Sequence, residues 1–251
     1  MRVYRWWSLV AIVPGVVFAA DPPPEGVWTG KGQAGYVASQ GNTEAESANA
    51  ALDMALLSGQ WKHMFHLGGL YGKSAGILSA ERWDSGWQSD YNFSAEMFSF
   101  GALRYSRDMF SGFHYQAALT AGMGYKFINT PTTQFSGQLG VGYRKSRPEL
   151  IVKNTAGAVI ARIPQDTTND AIITAQVDYS QQLTATTTIS NKLLIESGSS
   201  NTLITDSFAL AVKMSDRLAL SVGINVQDNT KPPAGLKKVD TTETVNLVYA
   251  F

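Results

Sequence analysis

The amino-acid sequence predicts an all-β chain that folds, after a cleaved signal peptide, into a closed antiparallel up-and-down transmembrane β-barrel of about 12 strands. Three observations lead to this prediction. Long segments alternate apolar and polar residues, aromatic residues gather towards the ends of these segments, and short and long connections fall on alternate junctions. The chain has no cysteine, so the stability of an exported protein of this sequence comes without disulfides.

The N-terminus carries the only long apolar stretch. A short basic region precedes an apolar segment from Trp6 to Phe18, which is too short to be a transmembrane helix. This pattern predicts a secretory signal peptide over residues 1–19, and a buried N-terminal strand is the alternative. Residues 20–26 are then a proline-rich periplasmic leader, and residues 27–251 form the outer-membrane β-barrel.

The clearest strands form a hairpin between Gly112 and Arg147. Every second residue is apolar, and aromatic side chains stand near the ends of each arm, with Leu119 and Val141 between them. An arm of about fourteen residues, tilted near 45°, spans roughly 30 Å, which matches the apolar part of a bilayer. An apolar face with aromatic ends favours a lipid-facing band. A soluble sandwich whose aromatic residues pack in a core is the alternative.

The same alternation predicts ten further strands. The segment at 44–57 is rich in alanine, which also allows a helix, but its length matches its neighbours and favours a strand. Before the hairpin the strands cover 28–39, 44–57, 61–72, 83–95 and 97–107, with apolar faces that carry Trp28, Leu52, Phe65, Trp87 and Leu103. After the hairpin they cover 173–180, 188–196, 207–213 and 218–227, and a last strand follows the connection at 229–240 and ends at Phe251. Their apolar faces carry Val177, Leu193, Leu210, Val222 and Leu247.

The connections between these strands fall into two kinds that alternate along the chain. Those at 58–59, 95–97, 128–133, 182–184 and 215–216 are tight, and those at 74–82, 148–169, 197–201 and 229–240 are longer. In an up-and-down barrel, alternate junctions lie at the same end. Outer-membrane barrels have short periplasmic turns and long external loops, so the lengths agree with this class.

The opposite face of each strand is polar and points into the predicted lumen. It carries the candidate functional residues, which are Lys62, His66, Asp90, Arg104, His114, Arg144, Asp178 and Lys192. One hypothesis is a charged, water-filled passage whose side chains set ion preference. The alternative is an ion-paired plug, which the mixed signs favour. The near-neutral formal charge gives no support for binding to nucleic acid.

Catalysis and metal binding are not predicted. A lipid-acting enzyme in a barrel needs a serine and a histidine close together on the lipid-facing wall. His63 is predicted to face lipid, but its own strand offers no serine at hydrogen-bonding spacing, which leaves a serine on a neighbouring strand as the open alternative. His63 and His66 point to opposite faces, so they do not form a metal site. No cofactor is predicted.

The C-terminus and several short motifs resemble those of known proteins. Phe251, with Tyr249 two residues before it, resembles the C-terminal signal of bacterial outer-membrane barrels that the barrel assembly machinery reads. Four motifs are similar to those of the salt-induced outer-membrane proteins of Gram-negative bacteria, a domain-of-unknown-function family: Ser39–Thr43, Asp108–Tyr115, Gly122–Tyr125 and Gly140–Arg144. The resemblance implies location and fold and supplies no established reaction.

These observations lead to one expected function and two alternatives. We expect an integral outer-membrane barrel of envelope or osmotic-stress type, either structural or with a narrow polar lumen that passes ions or small solutes weakly. Its expected partners are the lipid bilayer, lipopolysaccharide and, through the C-terminal strand, the assembly machinery. The alternatives are a barrel-embedded lipid-acting enzyme and a soluble exported barrel that binds a hydrophobic ligand.

Overall fold

The computed structural model describes residues 25–40, 44–155, 159–233 and 236–251. The predicted signal peptide, most of the predicted leader and the turn at 41–43 lie outside these ranges. In the described part, no helix has the length and apolar character needed to cross a membrane. The described residues form thirteen strands: β1 (Trp28–Ser39), β2 (Ala45–Ser58), β3 (Trp61–Ser74), β4 (Ile77–Asn92), β5 (Met97–Asp108), β6 (Phe113–Asn129), β7 (Thr133–Lys153), β8 (Val159–Pro164), β9 (Thr168–Gln182), β10 (Thr187–Gly198), β11 (Thr202–Lys213), β12 (Leu218–Asn229) and β13 (Val239–Ala250).

Twelve of these strands close into one antiparallel barrel. Each pairs with its neighbours in chain order, and β1 pairs with β13, where Lys31 lies opposite Ala250 and Ala34 opposite Leu247. β8 pairs only with the far end of β7 and stands outside this ring. The predicted fold class is therefore confirmed. We call the edge where β1 begins and β13 ends the terminal rim, and the opposite edge the distal rim.

The predicted loop at 74–82 is wrong. Ala75 and Gly76 alone connect β3 to β4, and both have positive φ, +49° and +74°. β4 therefore begins at Ile77, about six residues earlier than its apolar face indicates. At the distal rim a strand rises beyond the apolar band, where its outer side chains no longer need to be apolar, so hydrophobic alternation underestimates its length.

The predicted irregular segment at 148–169 is also wrong, because most of it is a β-hairpin. β7 continues to Lys153, and Leu150 pairs with Ile163 and Ile151 with Arg162 on β8. β9 then begins at Thr168. The connection at 197–201 shrinks to three residues between β10 and β11, whereas the one between β12 and β13 is long, as predicted. Longer excursions still occur only at the distal rim, but the contrast in length is weaker than expected.

The outer face of the barrel is apolar. Residues assigned to it by alternation are exposed, including Leu139 and Val141, each 67% exposed, and Leu119, which is 62% exposed. Their lumen-facing neighbours, such as Thr120 and Arg144, are buried. A continuous apolar surface of this extent is unfavourable in water and suits contact with acyl chains. The predicted orientation of the two faces is therefore confirmed, and the soluble sandwich is excluded by closure of the single sheet.

Aromatic rings form two bands on this outer face. Near the terminal rim, Tyr125, Phe127, Phe135 and Tyr179 form a continuous series across β6, β7 and β9, with centroids 5.1, 5.1 and 6.3 Å apart. Nearer the distal rim, the rings of Trp83, Tyr105 and Tyr115 stack across β4, β5 and β6 at 4.8 and 6.1 Å. Such bands mark the two membrane–water interfaces of a transmembrane barrel.

Two phenylalanine side chains of β5 point into the lumen, on the face of the barrel wall that does not meet lipid. Phe98 and Phe100 are each 5% exposed. The ring of Phe98 covers Gly124, and a Cβ at Gly140 would lie 2.8 Å from Cζ of Phe100. The glycines of β6 and β7 therefore leave room for aromatic rings from β5.

Candidate functional site

Charged side chains follow one row of paired residues around the lumen. From β1 to β9 the row contains Lys31, Asp53, His66, Gly86, Arg104, Ala118, Arg144 and Asp170, each directly opposite the next. Lys31 is the fourth residue of β1 from the terminal rim, and Asp170 is the third residue of β9 from the distal rim. Because the strands tilt, the charged row climbs most of the barrel height as it passes around the wall.

His66 lies between two carboxylates in this charged row. Its Nδ1 is 2.6 Å from Asp53 Oδ1 and its Nε2 is 3.0 Å from Asp84 Oδ2. Lys31 Nζ is 4.0 Å from the other oxygen of Asp53, and Arg82 Nε is 3.8 Å from Asp84 Oδ1. Both imidazole nitrogens donate in this arrangement only when the ring is protonated. The charges of the five linked side chains then alternate in sign, which lowers the free-energy cost of placing them inside the barrel. In order, these side chains are Lys31, Asp53, His66, Asp84 and Arg82.

The two arginines of the charged row each pair with a buried carboxylate. Arg104 on β5 forms an ion pair with Glu196 on β10, which is 3% exposed. Arg144 Nη2 lies 3.3 Å from Asp170 Oδ2 and donates to the carbonyl oxygen of Asn201 at 2.7 Å. Both partners of this second pair are buried, at 3% and 4% exposure. β5 and β10 are not neighbours in the sheet, so the pair Arg104–Glu196 bridges the lumen.

The remaining lumen candidates lie closer to the terminal rim. Lys62 is directly opposite Asp90, and Lys192 is directly opposite Asp178. Amide side chains complete this group: Gln88 donates to Asp90 Oδ1 at 2.8 Å, and Gln176 donates to Asp178 Oδ2 at 2.6 Å. Charges of both signs therefore alternate on this level of the lumen too.

His114 stands apart from the other candidates, at the distal rim. Its Nδ1 is 3.6 Å from Oε2 of Glu149, whose side chain is 2% exposed, while the histidine itself is 37% exposed. Arg162 of β8 lies 2.9 Å from the other oxygen of Glu149 and donates to the carbonyl oxygen of Met109. The β7–β8 hairpin is thus fastened to the turn between β5 and β6. The structure does not bring His114 together with His66 or the arginines of the charged row.

The sequence interpretation missed several residues of these networks. Asp170 and Glu149 fell in the segment predicted to be irregular, and Arg82 fell in the predicted loop. Extending the alternation of β9 backwards from Thr174 would have placed Asp170 on the lumen face. Glu149 and Arg162 gave no such signal, because their contact depends on how the hairpin folds over the distal rim. In the described ranges, no cluster of histidine and carboxylate side chains has the geometry of a metal site.

The C-terminal residues lie at the seam where the barrel closes. Tyr249 is exposed on the outer face, and Arg217 Nη1 lies 3.3 Å from its hydroxyl oxygen. The backbone of Phe251 exchanges two hydrogen bonds of 2.9 Å with Gly30 of β1. The ring of Phe251 lies over the same glycine, where a Cβ would come within 2.9 Å of Cζ.

Comparison with known proteins identifies the family. The model of the family described as "Protein of unknown function, DUF481" matches residues 32–251, which include β1 from its fifth residue onwards and all the other strands. The chain belongs to this family. The family resemblance carried by the glycine-containing motifs is thereby confirmed.

The individual proteins that resemble this DUF481 chain have low sequence identity to it. Over 145 residues it is 28% identical to the uncharacterized protein YdiY of Escherichia coli (strain K12), a match that covers 55% of this chain and 56% of that protein. Among solved structures, it is similar to the NanC porin (TM-score 0.47, 10% identity, 89% and 98% of the two chains). It is also similar to the COG4313 outer membrane channel of Pseudomonas putida F1 (TM-score 0.49, 12% identity, 92% and 100%).

The outer-membrane location follows from the architecture. In a bilayer every backbone polar group needs a partner within the protein, and closure of β1 on β13 and of β6 on β7 leaves the ring of twelve strands without an open edge. The apolar outer face and its two aromatic bands complete the features of an outer-membrane barrel. This DUF481 chain is therefore an outer-membrane β-barrel, as predicted from its sequence.

Proposed function

We propose that the protein is an integral barrel of envelope or osmotic-stress type whose polar lumen passes ions or small solutes only weakly. The observation that carries this proposal is the ion pair Arg104–Glu196, which bridges the lumen between strands that are not neighbours. A wide aqueous channel leaves its charged groups hydrated and separated, whereas paired and buried groups narrow the path. The buried pair Arg144–Asp170 supports the same interpretation at the distal rim.

We also propose the partners of this barrel. The short turns of the terminal rim indicate that it faces the periplasm, and the distal rim then meets lipopolysaccharide in the outer leaflet. Tyr249 lies on β13 and Phe251 directly follows this strand, where the assembly machinery would read both residues before β13 closes on β1.

Conductance through a planar lipid bilayer tests the proposed weak passage. We expect small current steps from the native protein and steps about twofold larger from R104A/E196A, because that variant removes both bridging side chains without leaving an unpaired charge. Leu103→Ala is the matched control, since Leu103 is the neighbouring residue on the outer face and is 54% exposed. Native steps as large as those of the double variant would contradict a lumen narrowed by this pair.

One contact favours a second candidate function, a lipid-acting enzyme. His63 Nδ1 lies 2.8 Å from Oγ of Ser89, which is on the neighbouring strand β4, and both side chains belong to the outer wall. Trp87 Nε1 donates to the same Oγ at 2.8 Å, and the ring of Trp61 stacks on His63 at 5.9 Å. This is the cross-strand serine that the sequence left open. A third residue that orients the imidazole through its Nε2 is not present among the described residues.

Release of fatty acid from phospholipid vesicles that contain the purified barrel tests this second function. If Ser89 is a nucleophile activated by His63, Ser89→Ala abolishes release, since removing one member of such a unit lowers turnover by a factor on the order of 10³ or more. Ser85→Ala is the control, because Ser85 lies on the same face of β4, four residues before Ser89, and has no described contact with His63. Absence of release from the native protein, or equal release from both variants, would remove this candidate.

A further inference from the structure

A cavity of about 130 Å³ lies at the distal rim, beneath the β7–β8 hairpin. It is enclosed by the end of β5, the start of β6 and both strands of the hairpin. Its polar lining consists of Arg107, His114, Glu149 and Arg162, and Phe113 and Pro164 contribute to its apolar lining. All of these residues lie beyond the aromatic band nearer the distal rim, on the side of the barrel that carries the hairpin. The proposed passage through the lumen does not account for this cavity.

The charges in this cavity do not balance. Glu149 is paired with Arg162, because one of its oxygens is 2.9 Å from Arg162 Nη1, and its other oxygen is 3.6 Å from His114 Nδ1. Arg162 is engaged as well, since it also donates to the carbonyl oxygen of Met109 and covers the ring of Phe110 at 5.3 Å. Arg107 has no hydrogen bond or ion pair with any residue that the structure describes. One guanidinium in the lining is therefore left without a compensating carboxylate.

The size and lining of the cavity define the ligand that fits it. A volume of about 130 Å³ is several times that of one water molecule but below the range of drug-sized sites. An unpaired guanidinium presents parallel donors that match a carboxylate, and the walls formed by Phe113 and Pro164 suit a short apolar group. His114, which is 37% exposed, leaves the cavity reachable from water.

We propose that this cavity is a binding site for a small organic monoanion, a carboxylate with a short apolar body, held by Arg107. The carboxylate of the ligand accepts hydrogen bonds from Arg107, and its apolar body contacts Phe113 and Pro164. The carboxylate of Glu149 repels the carboxylate of the ligand. Glu149 also pairs with Arg162 and so holds in place the β7–β8 hairpin that covers the site. The site lies at the distal rim of the barrel and does not depend on passage through the lumen.

Fluorine NMR on the folded barrel in detergent tests the site, with 3,3,3-trifluoropropionate as the probe. We expect saturable binding to the native protein and an affinity at least about tenfold lower for Arg107→Gln, which loses the charge-assisted hydrogen bonds. Glu149→Gln is expected to act in the opposite direction and to raise the affinity about threefold, because it removes the carboxylate that repels the probe. The neutral analogue 3,3,3-trifluoropropionamide is expected to bind at least about tenfold more weakly than the acid.

Lys145→Gln is the matched control, because Lys145 is a cation at the same rim that is exposed on the outer wall and does not line the cavity. Its affinity for the probe is expected to equal that of the native protein. Three results would overturn the proposal: no saturable binding to the native barrel, equal binding of the acid and the amide, or equal losses in Arg107→Gln and Lys145→Gln. The comparison of acid with amide uses the native protein alone, so it stands even if one variant does not fold.

Discussion

Replacing Arg144 by methionine is expected to lower the free energy of unfolding by about 3–5 kcal/mol, the usual cost of leaving one member of a buried ion pair without its partner. Arg144 is 3% exposed, and its guanidinium holds both Asp170 and the carbonyl oxygen of Asn201. Asp170 would remain 4% exposed, with only hydroxyl and amide donors from Ser199 and Ser200. Equilibrium unfolding in urea, with the barrel in lipid vesicles, measures the change.

A second substitution separates the charge from the packing of Arg144. Asp170→Asn in the Arg144→Met background removes the unpaired carboxylate, so the double variant is expected to recover most of the lost stability. Lys145→Met, on the next residue but on the outer face, is the control and is expected to change the free energy of unfolding by less than about 0.5 kcal/mol. If the double variant is no more stable than Arg144→Met, the ion pair is not what Arg144 contributes.

Replacing Val222 by arginine is expected to destabilise the barrel in lipid by about 2–4 kcal/mol, the cost of a cation near the midplane of the bilayer. Val222 lies mid-strand on the outer face of β12 and is 47% exposed. The same change at Val239, which is 48% exposed but begins β13 at the distal rim, is expected to cost no more than about 1 kcal/mol. The two sites match in residue type and exposure and differ in depth.

The comparison of these two variants tests the orientation of the wall. Unfolding of both in vesicles of the same lipid gives the difference, and spin labels at the same two positions report the polarity around each. If Val222→Arg is no more costly than Val239→Arg, the outer face of β12 does not contact acyl chains. The assignment of every other strand face follows from the same alternation and would be overturned with it.

The two faces of the wall were predictable from the sequence because burial in a barrel has a period of two residues. Leu139 and Val141 face lipid and Arg144 faces the lumen, as the alternation requires. Strand ends at the distal rim were not predictable in this way. Beyond the aromatic band both faces of a strand meet water, so the pattern that reveals a strand disappears while the hydrogen-bond ladder continues through Ile77 and Leu150.

The candidate lumen residues were nameable from the sequence, but their partners were not. The alternation of inward and outward side chains along each strand is enough to place Arg104 and Glu196 inside the barrel. Their contact also requires the stagger of twelve strands, which decides which residues of opposite walls stand at the same height. The pair His63–Ser89 shows the same limit on the outer wall, because the serine lies 26 positions away and becomes a neighbour only through the register of β3 with β4.

Pairing of β1 with β13 joins the first and last strands of the described chain. Each interior hairpin can form from residues close in sequence, but this final seam brings together segments about two hundred residues apart and has to wait for all of them. A chain that stops short of Val239 retains two open strand edges, which invite pairing with other chains. The barrel can therefore close only when β13 is present. A truncated product is expected to aggregate or to be degraded rather than to remain in the membrane as an open barrel.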